Sequence, residues 1–149
     1  DGVLSNIELM GGVCTVVVSL GLGVMWLAAS FRTETRTPQD VQLLHDVGWL
    51  IFNMTFMVTF IQMLSFGTAM LIDKRTTPLY PRGLGWASYL AAMTFLVVLL
   101  MPFFMHGPFA WHGLLTYYVA LGAFFVWALV AMYYSFGAIS RIERESVAQ

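Results

Sequence analysis

A chain of 149 residues that is 59% hydrophobic and 10% charged, with mean hydropathy +0.77, lies outside soluble composition, where about a quarter of residues carry charge. Its net charge of −1 gives no electrostatic case for nucleic acid or for an anionic surface. Segments outside the apolar runs amount to roughly a few tens of residues, too few for a separate catalytic domain.

The first residue is Asp rather than Met, which leaves open a missing N-terminal segment; the residues after it show no signal-peptide pattern. After a short polar start, residues 9–31 read LMGGVCTVVVSLGLGVMWLAASF, an uncharged run long enough to cross a bilayer. Gly12, Ser19 and Gly23 lie in it, and the Ser19–Gly23 pair predicts close helix packing. Cys14 is the single cysteine, so no internal disulfide can form.

Residues 32–40, RTETRTPQD, connect to a second span over 41–72. Thr37 suits the N-cap, Pro38 the first helical position, and Asp40 the reciprocal carboxylate of a capping box. No formal charge falls between Val47 and Ile72, and at about 1.5 Å per residue the span exceeds a hydrocarbon core of roughly 30 Å. It is also the most polar span. Asp46 and Asn53 share one face, while Thr55, Thr59 and Gln62 form a second stripe about 180° away at roughly 100° per residue. Lipid satisfies neither an amide nor a carboxylate, so both stripes should meet protein or a wet cavity, with this helix between neighbours.

The loop DKRTTPLYPRGLG holds Pro78 and Pro81 and breaks the helix. A third span follows over 86–105, with Pro102 expected to kink or end it. HGPFAWHG, from His106 to Gly113, reads as a tight turn into a fourth span over 113–140. Tyrosines lie toward both ends of that span, as interfacial belts require. Residues 141–149 form a charged exposed tail. The expected architecture is an all-α integral membrane protein, a single domain of four transmembrane helices in an antiparallel bundle with short loops. Lys74, Arg75, Arg82, Arg141 and Arg144 fall at one end and only Arg32 and Arg36 at the other, so the positive-inside rule places both termini in the cytoplasm.

That topology gathers the chain's three histidines. His45 and Asp46 open the second helix at the non-cytoplasmic end, His106 and His112 occupy the turn at the same end, and Asn53 leads inward. Imidazole and carboxylate ligate zinc, copper or iron, bind haem or relay protons, although no His-x-x-x-His or cysteine pair is present. Met101 and Met105, four apart beside His106, add thioethers suited to Cu(I). This Met-x-x-x-Met pair resembles that of copper-uptake channels over two residues only, with Pro102 between them. His45, His106, His112, Met101 and Met105 are therefore the candidate metal ligands, and His45, Asp46, His106, His112 and Asn53 the candidate cofactor-binding set.

The run GPFAWHG after an apolar span, with PRGLGW before it, resembles small bacterial inner-membrane proteins and carries no activity with it. P-loop, dinucleotide-glycine, Gly-x-Ser-x-Gly and His-Glu-x-x-His signatures are absent from the sequence. The primary expectation is a multi-pass subunit, structural or accessory, partnered by lipid and by other subunits or copies of itself. The alternative is a site for a metal, haem, proton or hydrophobic small molecule at the non-cytoplasmic face; a pore formed by an oligomer is a third reading.

Overall fold

The computed structural model describes residues 2–147, and among them there is no strand. Four helices are long and apolar enough to cross a membrane: α1 (Gly2–Ser30), α2 (Pro38–Leu71), α3 (Arg82–Phe103) and α4 (Leu114–Ser146). The protein is an all-α integral membrane protein, its helices an antiparallel bundle joined by short loops. α1 begins well ahead of residue 9, because hydropathy locates the lipid boundary while the helix itself continues into water. At the other terminus the expected tail is helical as far as Val147, held by Arg141–Glu145 at 3.5 Å and by Arg144 donating to the Ser140 carbonyl. The first residue and residues 148–149 of that tail lie outside the described residues.

Local chemistry sets the ends. Arg32, in the left-handed region at φ 56°, turns the chain out of α1, and the Arg36 guanidinium Nε donates to the Phe31 carbonyl. Thr37 and Asp40 then form the full capping box ahead of Pro38. At the opposite end, the Asp73 carboxylate accepts the backbone N–H of Arg75 at 3.1 Å and of Leu79 at 3.3 Å. Arg141 donates to the Pro78 and Thr77 carbonyls, tying this loop to α4.

Three spans leave ideal α geometry. α2 is interrupted at Thr55, between the segments Pro38–Met54 and Phe56–Leu71. The Thr55 hydroxyl takes the Ile51 carbonyl at 2.7 Å, which loosens the ladder at that point. α3 tightens to a 3₁₀ helix over Phe95–Phe103, so the departure starts well before Pro102; the Thr94 hydroxyl takes the Ala91 carbonyl at 2.7 Å just ahead of it. α4 opens with a π-helical stretch, Leu114–Leu121.

Packing is sequential. α1 lies along α2, the second half of α2 lies on the start of α3, and α3 packs on α4. α1 and α4 are not among the closely packed pairs, so the bundle stands open along that seam. At the α2–α3 crossing a Cβ on Gly67 would meet the Gly85 carbonyl oxygen at 2.8 Å, so backbone touches backbone there. Beside it Ser88, fully buried, accepts the Trp127 indole N–H at 2.8 Å and donates to the Leu84 carbonyl. Met63, Ala91, Ala92, Trp127 and Ala131 form the core at this level. The α1–α2 approach is at Gly11, where a Cβ would meet Gln62 Cβ at 2.8 Å. Gly23 meets nothing within 4 Å, so the Ser19–Gly23 pair is not the packing contact.

Gly67→Ala should destabilise the protein by about 1–3 kcal/mol through overpacking against backbone, whereas Gly23→Ala should be neutral in thermal unfolding in detergent. Equal stability of the two variants would refute the crossing. The Arg75 N–H above all holds the Asp73 carboxyl below its ordinary value; burial opposes it, and the Leu79 N–H and the Arg75 charge add smaller effects in the lowering direction. A lowered folded-state pKa means loop order that is full above the ordinary carboxylate value of about 3.9 and is lost as pH falls through the folded value. Amide-exchange protection of Arg75 and Leu79 should fall in acid, and Asp73→Asn should remove that pH dependence.

Candidate functional site

The irregular stretches of α2, α3 and α4 meet around one cavity of about 470 Å³. α1 contributes Thr15, Ser19, Leu22 and Trp26; α2 contributes Trp49, Asn53, Phe56 and Thr59; α3 contributes Phe95 and Val98; α4 contributes Thr116, Tyr117, Ala120 and Phe124. The volume falls in the range of about 300–1,000 Å³ typical of small-molecule sites. Ser19 and Phe125 both line the cavity and are exposed, so its mouth lies in the seam between α1 and α4. A second depression of about 340 Å³ continues along the seam past Thr15, Gln62 and Phe124 to Glu8 and Ser135. From Glu8 to Trp26 a helix rises roughly 27 Å, close to the depth of a hydrocarbon core.

At the histidine end an aromatic cluster closes the cavity. Trp49, buried, stacks on Trp111 at 5.0 Å and 26°, meets Trp26 edge-on at 5.4 Å, and touches Tyr117 at 5.9 Å. Its indole N–H donates to His45 Nε2 at 3.2 Å, so this bond requires His45 to present a bare Nε2 as acceptor. Pairs of this kind contribute about 0.5–1.5 kcal/mol each beyond burial.

His45 Nδ1 stands 3.9 Å from Asp46 Oδ1. The Trp111 ring meets both His45, at 5.0 Å, and His112, at 4.9 Å, edge-on. His106 and His112 are exposed. Met101 is 6% exposed and Met105 77%, so these thioethers do not share one environment. Among the described residues no group of three or more His, Cys, Asp or Glu could hold a metal ion. Asn53 alone of the expected cofactor set lines the cavity, with His45 behind Trp49 one turn further out.

The two polar stripes of α2 divide between two depressions: Asn53, Thr55 and Thr59 line this cavity, with the helix interrupted at Thr55 between them, and Gln62 lines the second depression. Thr15 Oγ1 lies 3.1 Å from Thr59 Oγ1 and donates to the Gly11 carbonyl at 2.9 Å; the Thr116 hydroxyl donates to the Phe109 carbonyl. Neither Lys, Arg, His, Cys, Asp nor Glu lines the cavity. It therefore offers apolar and aromatic walls with a few neutral hydrogen-bonding groups, a chemistry for binding rather than for acid–base work.

Trp26, Trp111, Tyr117 and Thr116 were not among the sequence candidates; the available signal was the i,i+4 spacing of His45 and Trp49, which puts imidazole and indole on one helix face. No protein-family model, curated protein or solved structure matches the chain.

His45→Ala removes the Trp49 acceptor together with two edge-on ring contacts, and should lower stability by about 1–2 kcal/mol while shifting tryptophan fluorescence to the red. His45→Gln, which restores an acceptor, should recover part of the loss. Wild-type unfolding and emission in His45→Ala would show that the cluster holds without the imidazole.

Proposed function

We propose that the chain is a multi-pass membrane protein that takes a hydrophobic small molecule from the lipid phase into its interhelical cavity, as a carrier or binding component. The observation that carries this reading is the coincidence of one cavity with the non-α backbone of three spans. Irregular backbone at membrane depth is tolerated where it is buried in protein or lines a cavity, and single π turns recur at functional sites. The open seam between α1 and α4 supplies a lateral route from lipid.

A second reading, an accessory subunit of a homo- or hetero-oligomer, is favoured by the same seam. Glu8 and Gln62 line its lower part, and a covering partner helix would shield a carboxylate and an amide from lipid. The excess of Lys and Arg at the end bearing the Asp73 loop supports cytoplasmic termini, and the sequence resemblance supports a bacterial inner membrane.

Mass spectrometry of protein isolated in mild detergent should find a co-purifying apolar small molecule at near-equimolar ratio. Val58→Trp, which fills the cavity from its α2 wall, should reduce that occupancy at least tenfold. Equal occupancy in both proteins, or none in either, would overturn the proposal. Recovery only as a partner-free monomer would count against the second reading.

A further inference from the structure

We infer that the cavity's occupant is a neutral amphiphile bearing a hydroxyl on a flat ring, a phenol-type lipid, with the hydroxyl at Asn53 and Tyr117 and its tail leaving through the α1–α4 seam. This assignment rests on the proposed binding role of the cavity and adds the chemical class. The lining excludes a charged head group. No ionic side chain lines the cavity, and an unpaired carboxylate, phosphate or ammonium buried among aromatic walls is heavily penalised.

The available polar atoms select a hydroxyl. Asn53 is 7% exposed and its Nδ2 donates to the Trp49 carbonyl at 3.0 Å. Its Oδ1 accepts no hydrogen bond among the described residues, and Asn53 lines the cavity. The neighbouring hydroxyls are already committed: Thr55 to Ile51, Thr116 to Phe109, Thr15 to Gly11 and toward Thr59. Tyr117, which lines the cavity and is 39% exposed, has no side-chain hydrogen-bond partner among the described residues. A ligand hydroxyl supplies a donor for Asn53 Oδ1 and an acceptor for the Tyr117 O–H, whereas a ketone or ether supplies only the second. Trp49, Phe56, Phe95 and Phe124 provide ring faces and edges around the cavity, which favours a flat ring over a bare alkyl alcohol.

Equilibrium dialysis of the full chain in lipid nanodiscs, corrected with protein-free nanodiscs, tests this with 4-nonylphenol, 1-decanol, decanoate and decane. 4-Nonylphenol should bind at least tenfold tighter than decanoate or decane and several-fold tighter than decanol. Asn53→Leu should bring nonylphenol down to the level of decane, and decane binding that is retained or tightened certifies the fold. Tyr117→Phe should weaken nonylphenol about threefold to tenfold, and stands as the test if Asn53→Leu does not fold. Decane and nonylphenol binding equally, decanoate binding best, or variants without effect would overturn the inference and leave the cavity reading standing. Failure of every probe to bind would overturn both.

Discussion

In hydrocarbon every backbone N–H and C=O must find its partner inside the protein, and this constraint governs where the four spans can deviate from α-helix. Deviations scattered over lipid-facing surface would leave orphan groups worth several kcal/mol each. Here they converge on one cavity, where side-chain hydroxyls and neighbouring helices can meet the freed groups. Thr55 takes the Ile51 carbonyl, Thr94 the Ala91 carbonyl and Thr116 the Phe109 carbonyl. Thr55 and Thr94 thus take up carbonyls where α2 and α3 leave the α ladder, and Thr116 ties the π-helical start of α4 to the turn before it.

The bundle divides into a tight half and an open one. Gly67 against Gly85 sets the α2 backbone on that of α3, and the Trp127 indole donating to Ser88 ties α4 to them. On the other side α1 adheres to α2 through Gly11 and Gln62 and does not close onto α4. Widening such a seam would disturb no close backbone contact at the crossing of α2 and α3.

The histidine end shows how aromatic packing redirects polar residues. Trp111 packs edge-on against both His45 and His112, and Trp49 engages His45 Nε2. Two imidazoles are thereby held in contact with indoles. His45 becomes a fastener for the cavity's roof, one step removed from whatever the cavity holds.

Much was legible from residue order alone. Uncharged runs of sufficient length dictated four membrane helices, and Thr37, Pro38 and Asp40 dictated the start of the second, because hydration and capping act locally. Asn53 stood out because an amide in a span demands a partner. What residue order did not reveal was the cavity. Projecting α2 as one continuous helix put Asn53 and Thr59 on different sides, yet with α2 interrupted at Thr55 both line one cavity. Likewise Gly67 and Gly85 look no different from Gly23 until three-dimensional packing sets backbone against backbone at the first two and open space at the third. Periodicity and composition report each helix's own environment; helical phase, crossing points and the gap left between α1 and α4 are properties of pairs of helices, and those only tertiary structure decides.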